Sequence, residues 1–502
     1  MKHKNYLAFD FGSSSVKVRI AGFDGKRIKL KNIYEFENNP VQTENYLQWD
    51  ILRLYYELCA GIRIAFKKYS EIESIGIDAW GGDFGLIDKK GYLIGNPIHY
   101  RNFHKIESEE IFKSLYNTIP KKDLFKITGL QFLTPGCNLF QMFSLILSKS
   151  KIFHIAFKYL MIPDLLNYFL TGLIYGEYTV NSMSQLMDQS NENWSYYILD
   201  KIGIPKNIFP EIIQPGTLIG FISNITSTFI NCPKFKVIAP IEHDTSSAFS
   251  SVPYIKDYKT CAVISIGSWS VLGIKVDNQI LTKEAFDFGF SNQAGPDSSF
   301  YFFKNMTGLW PAQESRKKIL LEEDKKISWD EIDLIASHSE MFKCFINIDN
   351  PLFGSPSQDI RAEIFNYLSK TEQEPFTNNG ELFRCIFESI ALRFRYNIEL
   401  LENIINEKIT SIYLIGGGSK NKTICQFTAN LLNLSVISGI YDASSLGNFI
   451  SQMIATKEID NFKEGQELIK NSIGLQEHYP EEVDKWEDYY KKYINFINKY
   501  EV

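Results

Sequence analysis

Asp244 is the first residue whose type and setting could carry chemistry. It lies in the run Ile241-Glu242-His243-Asp244-Thr245, between a predicted strand at 236–239 and a predicted helix at 245–250. A carboxylate at such a junction can face a cleft and accept a proton from a substrate hydroxyl, which is general-base chemistry. Aspartate is also a common N-cap at the start of a helix. The residue pattern by itself leaves both roles open.

A glycine and three serines, Gly12 to Ser15, join two predicted strands near the N-terminus. The backbone N–H groups and hydroxyls of such a loop can hold phosphate oxygens. Asp10 precedes the loop, where a carboxylate could hold Mg²⁺ directly or through water. Lys17 adds a positive charge, and an ordinary turn between two strands is the alternative interpretation.

The same pattern recurs about half a chain length later. Gly267-Ser268-Trp269-Ser270-Val271 matches Gly12-Ser13-Ser14-Ser15-Val16 in the positions of glycine, serine and valine. Two such loops, one in each half of the chain, could grip a phosphate chain from both sides.

A third glycine-rich segment, Gly416 to Gly418, follows a predicted strand and precedes a predicted helix. In this geometry the backbone can lie flat against a planar or anionic ligand. The segment is similar to a Walker A motif, but Asn421 stands where the second glycine is required, which argues against a P-loop.

The run Trp80-Gly81-Gly82-Asp83 combines an aromatic face, exposed glycine backbone and a carboxylate. These features suit a sugar, which pairs apolar C–H faces with several hydroxyls. A core tryptophan beside a turn is the alternative interpretation.

The elements that must position these residues follow one plan twice. In the first half, alternating and apolar runs predict strands at 6–11, 16–20 and 72–79, with a helix from Asp50 to about Tyr69. In the second half the strands are predicted at 260–266, 271–276 and 411–415, with a long helix at 381–405. The segment 84–94 is predicted to form a hairpin that turns at 88–91. The repeated order predicts a duplicated α/β fold whose halves meet near 250–253.

Composition narrows the function classes. The 502 residues are 44% hydrophobic and 22% charged, with a formal net charge of −6, which gives no general attraction to nucleic acid or anionic membrane. No run of 18 apolar residues and no signal-peptide core occurs. The seven cysteines are dispersed without a CxxC pair, and the six histidines other than His243 lack metal-ligand spacing. All but His104 are expected to be scattered surface or core histidines. These features predict a cytoplasmic protein with reduced thiols and two large domains.

The order and spacing of these motifs resemble the FGGY family of carbohydrate kinases, and within it the kinases of L-rhamnulose most closely. The resemblance covers almost the whole chain and is carried by the segments 8–20, 74–81, 95–101, 129–133, 163–168, 177–179, 185–186, 243–245, 267–270, 304–310, 416–418 and 445–448.

The resemblance implies two duplicated actin-like (ribonuclease H-like) α/β domains, at 1–253 and 254–502, with a catalytic cleft between them. It places the sugar, the first phosphate loop and the catalytic base in the first domain, and the nucleotide in the second. It implies a transferase of carbohydrate metabolism that uses ATP and Mg²⁺. The reaction would phosphorylate the 1-hydroxyl of a ketose, in the first instance L-rhamnulose, in rhamnose metabolism. L-fuculose or L-xylulose is the alternative substrate, and a catalytically weak sugar-sensing pseudokinase is the alternative function. No nucleic acid or membrane partner is implied, and the sequence does not predict the oligomeric state.

The resemblance also assigns roles to single residues. Asp244 matches the catalytic base, and Gly81, His243, Thr245 and Asn305 match sugar-contacting positions. From the residue patterns described above, Trp80 is a further expected sugar contact and Asp10 is the expected metal ligand. The expected nucleotide contacts are Ser13, Ser14, Ser15, Val16, Lys17, Ser268, Gln313, Gly417 and Asn421.

This chain departs from the family pattern at a few of these positions. Val16 stands where glycine is usual and Lys17 where arginine is usual, which bears on nucleotide geometry. Gly82 replaces a bulkier residue beside the expected sugar contacts, and Asn102 and Gln293 also differ from the usual residues. The sequence therefore predicts a roomier sugar pocket that discriminates less between ketoses.

Overall fold

The computed structural model describes residues 4–102, 105–131, 134–254, 257–324, 326–354 and 359–500. His104, Phe132 and Leu133, which the sequence analysis includes, lie outside the described residues.

The strands are, in chain order, β1 (Lys4–Phe11), β2 (Ser15–Phe23), β3 (Ile28–Glu37), β4 (Val41–Gln42), β5 (Leu47–Gln48), β6 (Ser74–Ala79), β7 (Phe84–Ile87), β8 (Lys158–Met161), β9 (Gly176–Glu177), β10 (Met187–Asp188), β11 (Asn193–Trp194), β12 (Ile212–Ile213), β13 (Thr217–Phe221), β14 (Lys236–Ala239), β15 (Cys261–Ile266), β16 (Trp269–Val276), β17 (Ser291–Ala294), β18 (Phe300–Thr307), β19 (Ser411–Ile415), β20 (Val436–Ile440) and β21 (Gln476–His478).

The α-helices are α1 (Ile51–Lys68), α2 (Lys105–Thr118), α3 (Lys121–Thr128), α4 (Asn138–Leu147), α5 (Ile152–Ile155), α6 (Ile162–Thr171), α7 (Tyr178–Ser182), α8 (Tyr196–Ile202), α9 (Asn224–Ile230), α10 (Asp244–Ser250), α11 (Lys283–Asp287), α12 (Trp310–Glu323), α13 (Trp329–His338), α14 (Pro351–Gly354), α15 (Ile360–Lys370), α16 (Asn379–Ile405), α17 (Lys422–Leu432), α18 (Ala443–Ala455), α19 (Phe462–Ser472) and α20 (Val483–Tyr500). Short 3₁₀ helices lie at Lys206–Ile208, Tyr258–Thr260 and Gly417–Lys420.

The chain divides into two compact units. Unit 1 consists of Met1–Pro253, Val276–Phe302 and Ala443–Ser472. Unit 2 consists of Tyr254–Lys275, Phe303–Asp442 and Ile473–Val502. Unit 1 therefore includes a helix pair, α18 and α19, that follows most of unit 2 in the sequence. The assignment of sugar and nucleotide roles to 1–253 and 254–502 stays a prediction.

The main sheet of unit 1 has the order β13-β14-β6-β1-β2-β3. β1 pairs antiparallel with β2 and parallel with β6, and β14 also pairs parallel with β6. The apolar residues of β1, including Leu7, Phe9 and Phe11, are fully buried in the core. α1 covers that core with an apolar face, and the Asp50 side chain caps its first turn by accepting from the backbone N–H of Arg53.

The sheet that contains the second serine loop repeats this order. It runs β17-β18-β16-β15-β19-β20-β21. β15 lies between antiparallel β16 and parallel β19, as β1 lies between β2 and β6. Each sheet then continues with a parallel strand, β20 or β14, and ends with an antiparallel one, β21 or β13. The strand–turn–strand plan predicted from the sequence is thus present in two sheets of matching order.

The predicted hairpin at 84–94 forms, and a strand that the local sequence did not indicate also pairs with it. The return segment contacts β7 through the antiparallel bridge between Ile87 and Leu93 and through the hydrogen bond from the Ile94 N–H to the Leu86 carbonyl. β8, over seventy residues later in the chain, pairs antiparallel with β7 as well. The turn itself forms, because the Asp88 carboxylate accepts from the backbone N–H groups of Lys90 and Tyr92. The local turn signal therefore predicted the hairpin, whereas the pairing with the distant strand β8 had no local signal.

All seven cysteines are buried free thiols, as the sequence predicted. Among the described residues, no helix is both long enough and apolar enough to cross a membrane.

Candidate active site

Asp244 is the first residue of α10, directly after the strand-to-helix junction of β14. His243 occupies the N-cap position and makes no side-chain cap hydrogen bond. The N-cap interpretation of Asp244 is therefore wrong, since its backbone already belongs to the helix. Its carboxylate instead accepts a hydrogen bond from the Thr245 hydroxyl at 3.1 Å.

Three carboxylates of unit 1 interact electrostatically at the ends of neighbouring strands. Asp10 on β1 stands opposite Asp78 on β6 and opposite Lys17 on β2. Burial and the Asp10 charge raise the pKa of Asp244 to about 7, against smaller lowering effects of the Thr245 hydrogen bonds and Lys17. Burial and the same Asp10 charge hold the pKa of Asp78 well above its ordinary value. A carboxyl group whose pKa lies near neutrality is matched to general-base work.

Asp78 is held in place by α18, a helix from the far end of the sequence. The Asn448 side-chain amide donates to Asp78 Oδ2 at 2.6 Å, and the Gln452 amide donates to Asn448 Oδ1 at 2.7 Å. The Ser74 hydroxyl in turn donates to Gln452 at 2.7 Å. This fully buried network ties the carboxylate group to α18. The sequence analysis singled out 445–448 by resemblance but gave it no role.

The carboxylates near Asp10 suit a magnesium ion. Mg²⁺ prefers hard oxygen ligands and is usually bound through one or two carboxylates, with waters and substrate phosphates completing its shell. Asp78 Oδ1 is buried and makes no hydrogen bond within the described residues. No group of three or more His, Cys, Asp or Glu side chains forms a complete metal cage in the described part of the chain. The donors present therefore fit an ion that also needs oxygens from substrate.

The first serine loop is a tight turn between β1 and β2. The Gly12 N–H donates to the Ser15 carbonyl at 3.0 Å, and Asn38 braces the loop through its backbone N–H to Ser14 O and its amide to Gly12 O. Ser13 has a side-chain hydrogen bond with Tyr100. The Val16 side chain is fully buried in the core, so only its backbone could contact a ligand.

The Gly81 backbone packs directly against the His243 ring. A Cβ atom at Gly81 would lie 2.7 Å from His243 Nε2 and 3.0 Å from Met183 Cγ, closer than real Cβ atoms stand. His243 Nε2 lies 3.6 Å from Asp244 Oδ1, and Thr245 on α10 donates to the same oxygen. The structure therefore brings three of the expected sugar contacts, Gly81, His243 and Thr245, around Asp244.

Trp80, the residue before Gly81, packs against the Trp49 ring in a buried aromatic cluster. Its side chain is 7% exposed, and its indole N–H donates to Asp83 Oδ2 at 3.2 Å. Trp49 donates to the same oxygen at 2.6 Å, with ring centroids 4.4 Å from Trp80. This burial agrees with the core interpretation of the tryptophan, and its contact with sugar stays a prediction.

The second serine loop, in unit 2, is braced by the segment that follows β18. The backbone N–H groups of Gly308 and Trp310 both donate to the Ser268 carbonyl. A Cβ atom at Gly308 would lie 2.5 Å from the Gly267 carbonyl oxygen, so only glycine allows this approach. The Ser268 hydroxyl donates to Gln313 Oε1 at 2.7 Å. Two residues that the sequence analysis assigned separately to the nucleotide thus touch each other.

The glycine loop after β19 also lies in unit 2. Gly416 has a φ of 79°, and a Cβ atom at Gly418 would lie 2.4 Å from the Ile266 side chain. Gly417 is exposed with open space around it. Asn421 caps α17 by accepting from the Ile424 N–H at 2.7 Å. Asn305, an expected sugar contact, is an exposed residue of β18 in the same unit.

Comparison with known proteins decides the family. The model of the FGGY family of carbohydrate kinases, N-terminal domain, matches residues 5–249, and that of the C-terminal domain matches residues 262–456. The chain belongs to the FGGY family of carbohydrate kinases. It is therefore a sugar kinase with the two-domain FGGY fold, as the sequence resemblance implied.

The FGGY relatives of known name include two rhamnulokinases that match over nearly the full chain. That of Bacteroides thetaiotaomicron is 31% identical over 495 residues, which cover 99% of each protein. That of Oceanobacillus iheyensis is 32% identical over 470 residues, which cover 93% of this chain and 97% of the relative.

Solved structures of other kinases share the fold at lower identity. A ligand-bound xylulose kinase from Lactobacillus acidophilus has a TM-score of 0.79 at 15% identity, covering 99% of this chain and 98% of that one. A Plasmodium falciparum glycerol kinase with ADP has a TM-score of 0.74 at 19% identity, covering 99% and 97%.

Proposed function

We propose that this FGGY kinase transfers the γ-phosphoryl group of ATP to the 1-hydroxyl of L-rhamnulose, giving L-rhamnulose 1-phosphate and ADP in the cytoplasm. The observation that carries the proposal is the Asp244 carboxyl, whose pKa is raised to about 7 beside Asp10 at the start of α10. The rhamnulokinase name of the relatives supports the choice of sugar. The buried, unpaired cysteines support the cytoplasmic location.

In the proposed mechanism, Asp244 accepts the proton of the attacking hydroxyl. Thr245 holds the carboxylate by donating to Oδ1, which leaves Oδ2 to face the substrate. Because little covalent chemistry is left to the protein in phosphoryl transfer, positioning and charge supply most of the rate. Lys17 and the serine hydroxyls of 13–15 are the proposed contacts of the phosphates. The other proposed nucleotide contacts are Ser268, Gln313, Gly417 and Asn421.

Asp10, with Asp78 beside it, is the proposed holder of Mg²⁺. The ion would supply positive charge that neutralises the phosphate oxygens. The chain itself keeps the carboxyl groups of Asp10 and Asp78 close together despite their mutual repulsion. The hydrogen bond that the Asn448 amide donates to Asp78 makes this possible.

A sugar-sensing pseudokinase is the weaker alternative, because Asp10, Asp244 and both serine loops are all present.

One observation favours another ketose as the substrate, such as L-fuculose or L-xylulose. A Cβ atom at Gly82 would meet only Trp80 Cδ1 at 3.7 Å and the Gly136 carbonyl oxygen at 3.9 Å, so there is room for a side chain that this enzyme lacks.

A coupled ADP-release assay across a panel of ketoses tests the proposed substrate. We expect L-rhamnulose to give the highest kcat/KM, with measurable activity on at least one other ketose. A methylene in an apolar pocket contributes only about 1–3 kcal/mol to discrimination. Gly82→Val should therefore narrow the substrate range, whereas the matched control Gly474→Val, at an open position remote in sequence, should not. Absence of activity on L-rhamnulose would overturn the substrate, and strict exclusion of all other ketoses would overturn the role of Gly82.

Ser268→Ala tests the second serine loop. We expect the KM for ATP to rise more than the KM for the ketose, because a charge-assisted hydrogen bond to phosphate contributes about 1–3 kcal/mol. Steady-state kinetics with each substrate varied in turn measures the difference. Ser337→Ala, which removes an exposed hydroxyl of α13 in the same unit, is the control. An equal rise for both substrates, or a rise for the sugar alone, would contradict the nucleotide role.

A further inference from the structure

His243 is held by one hydrogen bond of its backbone and one of its ring. Its backbone N–H donates to Thr179 Oγ1 at 3.3 Å, and its ring Nδ1 lies 3.2 Å from Ser246 Oγ. The side chain is almost fully buried, with 4% exposure for the residue. α7 therefore holds the His243 backbone, and Ser246 of α10 orients the ring.

The partner of Ser246 determines which ring nitrogen carries the proton. Ser246 Oγ lies 2.9 Å from the Ala294 carbonyl oxygen, which can only accept. The single hydroxyl proton of Ser246 is thereby used, so Oγ can only accept from the ring. Nδ1 must then be an N–H donor. Burial also lowers the pKa of His243 to about 3, which keeps the ring neutral, and a neutral ring has only one N–H.

The remaining nitrogen, Nε2, is consequently a bare acceptor. It lies 3.6 Å from Asp244 Oδ1 and beside the Gly81 backbone, where a Cβ atom would come within 2.7 Å. At 3.6 Å, Asp244 Oδ1 is too distant for a hydrogen bond with Nε2, and glycine offers no side chain. Within the described residues no donor to Nε2 is found, and a bound sugar can supply one through a hydroxyl.

We propose that Ser246 is a positioning residue that fixes His243 as the Nδ1–H tautomer, so that Nε2 accepts a hydrogen bond from a hydroxyl of the ketose. The proposal deepens the proposed function and rests on it for the identity of the ligand. It also predicts specificity. An acceptor that is left unpaired in a buried site strongly disfavours a substrate that lacks the matching hydroxyl. The ketose analogue in which that hydroxyl is replaced by hydrogen or by a methoxy group should be a poor substrate.

Nuclear magnetic resonance of enzyme labelled with ¹⁵N-histidine tests the tautomer without any need for activity. Long-range ¹H–¹⁵N correlations distinguish the two neutral tautomers and the charged ring, and the His243 signals are those absent in His243→Gln. We expect the Nδ1–H pattern at pH 7 in the wild-type protein, and a changed pattern in Ser246→Ala. An Nε2–H or doubly protonated ring in the wild type would overturn the proposal, as would an unchanged pattern in Ser246→Ala.

Kinetics separates the positioning role from a general structural one. Ser246→Ala should raise the KM for L-rhamnulose about tenfold, as expected for one lost hydrogen bond, with the KM for ATP changed less than twofold. Ser246→Thr keeps the hydroxyl and should restore the KM. The control Ser251→Ala removes a buried hydroxyl at the other end of α10, bonded to the Ala248 carbonyl, and should leave both KM values unchanged.

The outcomes distinguish this inference from the proposed function. Equal changes in both KM values for Ser246→Ala, or failure of Ser246→Thr to restore the KM, would contradict the positioning role. If the wild-type enzyme phosphorylates no ketose, the proposed substrate is wrong, and the spectrum of the wild-type ring still decides the tautomer.

Discussion

Asp244→Asn is expected to lower kcat by roughly 10²-fold or more, the range for removal of a general base. Asparagine keeps the shape of the side chain and can still accept from Thr245, but it cannot take the proton of the attacking hydroxyl. Binding of sugar and of ATP, measured by calorimetry, should persist. Asp330→Asn is the matched control, because it removes an exposed carboxylate from the first turn of another helix, α13.

The pH dependence of the wild-type enzyme provides a second measurement of the same role. The base acts only when ionised, and the pKa of Asp244 is raised to about 7 in the folded protein. The value of kcat/KM should therefore fall as the pH falls through about 7 and level off above it. Near-normal turnover of Asp244→Asn would remove Asp244 as the base. A flat profile between pH 6 and 8 would remove the argument from its pKa.

Much of the fold was predictable because the signals are local. The strand at 236–239 and the strand at 411–415 have the predicted bounds, since these largely buried apolar runs end at Pro240 and at Gly416. The helix after Asp50 begins where the aspartate caps it. The repeated Gly-Ser turn predicted two similar sheets, and the order of strands around β1 and β15 agrees.

Two structural features were not predicted from the sequence, and both have the same physical cause. In each, the strand or side chain that pairs with the residue lies far away in the sequence. β7 pairs with β8, over seventy residues away, in addition to its own return segment. The sequence predicted Asp78 only as part of a strand, whereas in the structure the Asn448 amide of α18 donates a hydrogen bond to its carboxylate. A buried carboxylate in a strand is a signal that could have pointed to Asp78, because a charged group within an apolar run requires a partner.

The sequence was sufficient to identify the residues of the candidate site. It was not sufficient to predict which nitrogen of the His243 ring carries the proton. Gly81, His243 and Asp244 were identified from the sequence, and the structure brings them together in unit 1. The hydrogen bond from Ser246 to Ala294, which determines how the His243 ring acts, joins residues 48 positions apart. No motif in the sequence marks that contact.

Gly447→Ala is the substitution expected to damage the fold of unit 1 most. Gly447 lies on α18 against α10, and a Cβ atom there would stand 1.9 Å from the Ser247 carbonyl oxygen and 2.5 Å from Ser250 Oγ. Since the nearest atom is backbone, the two helices must separate, and overpacking of this kind costs about 1–3 kcal/mol or more.

Because α10 begins at Asp244 and α18 carries Asn448, the separation of these helices should disturb the carboxylate group as well as the stability. We expect the unfolding transition of unit 1 to fall by roughly 2–12 °C in calorimetry, with a loss of kcat in the protein that stays folded. Gly474→Ala is the control, since a Cβ atom there meets nothing within 4 Å. A Gly447→Ala enzyme with unchanged melting and unchanged kcat would show that α18 does not fix the position of α10, and the role given to Asn448 in holding Asp78 would lose its support.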